Sequence, residues 1–140
     1  MKALYCSALA AGLLLAIGCK KDHKVTEVAG KGGPAALRIS LNHNGVPLEN
    51  GRVRIRYGAT AAPANPLAWD DSADVVSLPS TAGQALFPSL YKGRYYIEGT
   101  GYLPTSTFRE PKVVTGGIAY TLTENQVINL SLPLNTVVTE

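Results

Sequence analysis

Histidine and cysteine are nearly absent from this chain. Of its 140 residues only two are Cys and two are His, the latter at 23 and 43, which is too few for a metal centre of imidazole and thiolate ligands. Neither histidine has an evident partner for a nucleophile–base pair, and the serine-hydrolase patterns G-x-S-x-G and S-x-x-K are missing. No catalytic residue, metal site or cofactor is therefore expected. Charge is also sparse, with 16% charged residues and a formal net charge of +3. Lys2, Lys20, Lys21, Lys24 and Lys31 supply the early excess, while from Ala35 onward eight basic residues face eight acidic ones. A neutral folded part lacks the stripe that phosphate backbones need, which excludes a nucleic-acid partner. Helical periodicity is missing after residue 36.

What is present favours short strands. With 46% apolar content, 14 Gly and 9 Pro, the chain can build one core cut by many turns, hence one domain. Leu37, Ile39 and Leu41 alternate with Arg38, Ser40 and Asn42, and His43-Asn44-Gly45 then turns the chain. Val53, Ile55 and Tyr57 alternate with Arg52, Arg54 and Arg56. That arginine ladder suits either an acidic ligand or carboxylates on a neighbouring strand. Gly58 to Asp71 has no period and reads as a long surface loop. Ala73 to Leu78 resumes as a strand. Thr105 to Phe108, Lys112 to Thr115 and Ile118 to Leu122 read as strands separated by Glu110-Pro111 and Gly116-Gly117. In the last strand Ile128, Leu130 and Leu132 alternate with Val127, Asn129 and Ser131.

Thr81 to Gly99 reads as turn, strand, tight turn, strand, a hairpin with Gly83 in its first turn and Gly93 opening the second strand. Its pattern T-x-G-x-A-x-F-x-x-L-x-x-G-x-Y-Y-I resembles the central hairpin of prealbumin-like sandwiches, the group that holds carboxypeptidase regulatory-like domains and the B-type repeats of bacterial collagen adhesins. Asn44 to Ile55 is similar to the same group's G-x-P-L-x-G-A-x-V-x-I segment, with one extra residue before the strand. The resemblance and the strand spacing together imply an all-β fold, a seven- to eight-stranded antiparallel Greek-key β-sandwich of the prealbumin-like kind. Such motifs specify fold better than function. Of the group's enzymes, hydroxyisourate hydrolases use several histidines and a distinctive C-terminal motif that this chain lacks, and intradiol dioxygenases hold iron with two His and two Tyr, whereas here His23 and His43 are split between tether and turn. The adhesin repeats' Lys–Asn isopeptide finds a counterpart acid in Glu98 and an amide in Asn129, but the lysine's place on the first strand is held by Arg38, Ser40 and Leu41. Alternation also turns Glu98 outward, opposite to Ile97.

Met1-Lys2, the apolar run to Ile17 and the small exit residue Gly18 have the layout of a secretory signal, too short to span a bilayer comfortably. Leu15-Ala16-Ile17-Gly18-Cys19 resembles the lipobox of bacterial lipoproteins, departing from it at Ala16, where a larger aliphatic is usual. The resemblance implies cleavage before Cys19 and acylation of its thiol. Cys6 lies in the part to be removed, which leaves Cys19 no disulfide partner. Residues 1–18 are then the signal, 19–34 a lipidated flexible tether and 35–140 the sandwich, held in the cell envelope at the outer membrane through its lipid.

Trp69, the only tryptophan, lies beside Asp70 and Asp71 in the long loop. It suits stacking on a sugar ring whose hydroxyls the two acids bind, or folding back over an open end of the sandwich. Asp70, Asp71 and Asp74 lack the Gly and distal Glu of a calcium loop. The expected function is a non-catalytic binding, adhesion or structural accessory module of the envelope, with a glycan or an envelope protein as partner. The alternatives are a carbohydrate-binding component of a surface uptake system and, more remotely, a small envelope enzyme.

Overall fold

The computed structural model describes residues 28–78, 81–103 and 112–138, and every regular element among them is a strand. In chain order these are β1 (Lys31–His43), β2 (Val46–Pro47), β3 (Gly51–Tyr57), β4 (Asp71–Asp74), β5 (Val76–Leu78), β6 (Thr81–Leu90), β7 (Gly93–Leu103), β8 (Lys112–Leu122), β9 (Val127–Pro133) and β10 (Thr136–Val138). One sheet runs β5-β6-β1-β9, with β2 on the far end of β1; the other runs β4-β3-β7-β8-β10. The two-sheet sandwich expected from the sequence is the fold. Its seven strands of four or more residues carry it, and β2, β5 and β10 are short additions. Pairing is antiparallel except between β1 and β9, which run parallel from Ala36↔Val127 to Asn42↔Pro133.

The alternating positions bury as their spacing requires. Leu37, Ile39 and Leu41 of β1, with Ala85, Phe87 and Leu90 of β6 and Leu132 of β9, face Val53 and Ile55 of β3 and Tyr95 and Ile97 of β7 across one core, all of them buried. Each large side chain removed from water in this way contributes about 1.5–3 kcal/mol. The β1–β2 turn has Asn44 and Gly45 both at positive φ, 50° and 79°, the backbone that Asn-Gly adopts to follow the twist of a two-residue hairpin.

Four sequence expectations are corrected. β6 and β7 do not form a hairpin: β6 pairs with β1 and β5, β7 with β3 and β8, so Tyr91-Lys92 is a corner between sheets. Burial of Leu90 and Tyr95 on either side of it pulls both strands onto the common core. Gly83 lies inside β6, where a side chain would meet Val75 at 2.5 Å. Gly116-Gly117 does not separate two strands; β8 runs straight through it, because these glycines make room for the Pro133 carbonyl and for the Tyr96 ring. Finally, Asp71–Asp74 and Val76–Leu78 belong to different sheets, the chain crossing at buried Val75.

β1 begins at Lys31, inside the stretch assigned to the tether, and the ordered contacts reach back to Gly30. The Gly30 carbonyl accepts from Tyr91 N–H at 2.9 Å, and Gly30 N–H donates to Tyr95 Oη at 3.0 Å. Tyr95 Oη in turn donates to the carbonyl of Tyr91, four residues upstream. This is the tyrosine-corner device, a buried ring whose hydroxyl fixes the turn before its own strand. Residues 1–27, with Cys19, and the expected strand from Thr105 to Phe108 lie outside the described residues.

Candidate functional site

The outer face of the β4-β3-β7-β8 sheet gathers most of the polar chemistry of the domain. Alternation in β3 sends Val53 and Ile55 inward and the three arginines outward. Register then sets Arg52 between Asp74 and Thr100, Arg54 between Ser72 and Glu98, and Arg56 beside Tyr96. The ladder is paired to carboxylates: Arg52 Nε to Asp74 Oδ1 at 2.7 Å, Arg54 to Glu98, and Arg56 Nη1 to Asp70 Oδ1 at 3.1 Å. The hydrogen bond and charge of Asp74 push the Arg52 guanidinium above its ordinary pKa, and those of Arg52 pull the Asp74 carboxyl below its own. Both groups are exposed to solvent, so the pair fixes side-chain direction more than it stabilises the fold.

Trp69 lies on this face and is half-buried. Its ring stacks on Tyr96 with centroids 6.3 Å apart and planes 29° apart, and the Arg54 guanidinium sits over it at 4.7 Å. A cation over an indole is favourable by about 0.5–1 kcal/mol at an exposed site. The tryptophan thus neither plugs an end of the sandwich nor stands free; it clasps the 58–70 loop to the sheet. Arg56 adds a hydrogen bond to the Ala68 carbonyl, and Asp70 accepts from Tyr57 N–H at 2.7 Å.

The three residues marked as a ligand set do not converge. Asp70 faces outward to Arg56. Asp71, in register with buried Ile55, points the other way and pairs with Lys31 Nζ at 2.8 Å. With Asp74 held by Arg52, the three acids are occupied separately, and among the described residues no group of three or more His, Cys, Asp or Glu is placed to hold a metal. His43 is likewise engaged at the end of β1, with Nδ1 2.6 Å from the Leu134 carbonyl.

A trough of about 490 Å³ opens on the same face, lined by Gly51, Arg52, Arg54, Asp74, Thr100 and Tyr102. Tyr102 is 47% exposed at its rim. Reading the sequence alone singled out the arginines but missed Thr100 and Tyr102; the outward alternation of β7, with Tyr96, Glu98, Thr100 and Tyr102 on one face, was the available signal. A second hollow, of about 760 Å³, lies at the same end against Val46, Leu48 and Leu103. Comparison of the chain with protein-family models, curated proteins and solved structures finds no match.

Proposed function

We propose that this chain is a non-catalytic binding module of the cell envelope, anchored by acyl chains on Cys19, with the outer face of the β4-β3-β7-β8 sheet as its contact surface. The observation that carries the reading is the trough with its ordered rim. Arg52, Arg54 and Asp74 are held in fixed directions by their partners beside Thr100 and the exposed ring of Tyr102. Charged and hydroxyl groups fixed before a ligand arrives lose little entropy on binding. The prealbumin-like resemblance supports a scaffold on which such a face is displayed, and it assigns no ligand.

A second reading, a carbohydrate-binding component of an uptake system, is favoured by the aromatic groups Tyr102, Tyr96 and Trp69 along a hydrogen-bonding face. Aromatic faces stack on sugar rings while guanidiniums and carboxylates bind their hydroxyls.

Two measurements test these readings. Cys19→Ala should move the protein from the membrane fraction to a soluble or uncleaved form; a variant still processed and membrane-bound removes the anchor. On a glycan array the carbohydrate reading expects binding that Tyr102→Ala abolishes at an unchanged melting temperature. Trp69→Ala, which unclasps the loop, should lower stability by about 1–3 kcal/mol, less than the 3–5 of a fully buried tryptophan. An array without binding leaves a protein partner for the trough, and Tyr102→Ala then has to weaken that contact.

A further inference from the structure

The loop between β3 and β4 is built in an unusual way. From Gly58 to Trp69 it contains no charged residue. Its underside is secured by Trp69 on Tyr96, by Arg56 to the Ala68 carbonyl, by Asp70 to Arg56, and by Asn65 Oδ1, which accepts from Leu67 N–H at 3.0 Å. What this anchoring presents outward is Ala, Pro, the polar Thr60 and Asn65, and Leu67, whose residue exposure of 89% is the highest of any large apolar side chain among the described residues. An ordered loop that holds a leucine out in water has no stabilising reason within the domain.

The place of the loop in the fold supplies one. β1 starts, β3 ends, β4 starts and β7 starts at the same end of the sandwich: Gly30 lies beside Tyr57, Lys31 pairs with Asp71, and Gly93 packs on Ala29. The chain leading back to Cys19 therefore leaves the domain at the end that carries this loop. Val28 stands nine positions after Cys19, with eight residues between them, so the covalent chain can hold the two at most about 30–32 Å apart. That end also exposes Val28 and Tyr91, at 76% and 42%, and carries Lys92 and Arg94, which have no ion pair among the described residues, beside Glu124 and the ion-paired Asp70 and Asp71. Exposed apolar side chains beside unpaired basic groups and aromatics are what a bilayer interface accepts.

We infer that the Gly58–Trp69 loop rests in the lipid interface through Leu67, standing the domain on the bilayer with its trough outward. This rests on the lipid-anchor reading. The trough runs along β3 from Arg54, whose guanidinium covers Trp69, to Gly51, three to six residues from Tyr57, so it opens about 10–20 Å from the loop end. The loop is a second, weak membrane contact that orients a domain already tethered.

The single tryptophan, two residues from Leu67 and so within about 7–8 Å along the chain, is a built-in probe. The mature lipidated protein is reconstituted into vesicles of phosphatidylethanolamine and phosphatidylglycerol, with or without bromine on the upper acyl chain. Flotation reports the anchor, and bromine quenching of Trp69 emission reports the loop. The expected result is flotation with quenching for the native protein, and flotation with quenching lost for Leu67→Asp at an unchanged melting temperature. A native protein that floats unquenched, or a Leu67→Asp variant quenched as strongly as native, overturns the inference while leaving the anchor intact. Failure to float defeats the anchor reading itself and the loop contact with it.

Discussion

Two tyrosines that touch each other carry opposite hydrogen-bond states. Tyr57 and Tyr95 pack edge to face with centroids 5.7 Å apart and an interplanar angle of 84°. Tyr95 Oη is bonded to Tyr91 and Gly30, whereas the buried Tyr57 Oη makes no hydrogen bond among the described residues, Asp71 being the nearby carboxylate that acts on it. Removing a bonded hydroxyl strands its partners; removing an orphan strands none. Tyr95→Phe should therefore destabilise the domain by about 1–3 kcal/mol, and Tyr57→Phe should be neutral or stabilising, as chemical denaturation would show. The same burial sets a pH dependence. Desolvation, with the charges of Asp71 and Asp70 adding to it, pushes the Tyr57 phenol up to about 12, and desolvation also raises Tyr95, partly offset by the Gly30 N–H. A phenol whose pKa is raised on folding contributes stability that is complete below its unfolded value near 10 and is lost as pH rises through the folded value. Stability should thus fall between about pH 10 and pH 12, and less steeply in Tyr57→Phe. An identical slope in that variant would assign the decline to other groups.

Among the elements, β8 shows why glycine misleads a reader of sequence. Gly-Gly in a run of Val, Thr and Ile is as compatible with a turn as with a strand that needs bare backbone on both faces, and only non-local contacts decide. Here Gly116 faces the Pro133–Leu134 backbone, while Gly117 lies under the Tyr96 hydroxyl, 2.5 Å from where a Cβ would stand. Gly116→Ala should destabilise by about 1–3 kcal/mol or more, since the obstacle is backbone and cannot rotate away. Exposed Ala119 on the same strand should accept Val within about 0.5 kcal/mol. A tolerated Gly116→Ala would mean that β9 and β10 approach β8 less closely than they do here. The same division separates what was legible from what was not. Alternation in β1, β3, β7 and β9 declared the buried faces, because period two is a local property, and with them the outward arginine ladder and the outward Glu98. The assignment of β6 and β7 to different sheets and the parallel β1–β9 pair depend on contacts between distant residues, which no local period encodes. The candidate site suffered most: Trp69, Asp70 and Asp71 are neighbours in sequence, and the strand start at Asp71 turns them to three different partners.

For the molecule as a whole, the architecture turns on where the sandwich starts. Composition placed that point at Ala35, since Lys31-Gly-Gly-Pro34 looks like linker. The structure instead pairs Lys31 with Leu90 in the β1–β6 ladder, packs Gly33 against the Leu90 carbonyl, and uses Gly30 to satisfy both Tyr91 and Tyr95. A chain begun at Ala35 would lose the two Gly30 hydrogen bonds, leaving the Tyr91 N–H and the Tyr95 hydroxyl short of a partner at the corner between the sheets. At about 1–3 kcal/mol for each group left unsatisfied, it should be about 2–5 kcal/mol less stable than a chain begun at Val28. Urea unfolding of the two chains measures this as a lower midpoint at nearly equal slope, because the core that sets the slope is shared. Equal midpoints would place the start of the sandwich after residue 34 and remove the short spacing to Cys19 that the proposed bilayer contact uses. A lower midpoint for the shorter chain keeps that end within nine positions of Cys19, the spacing on which the proposed bilayer contact of the loop depends.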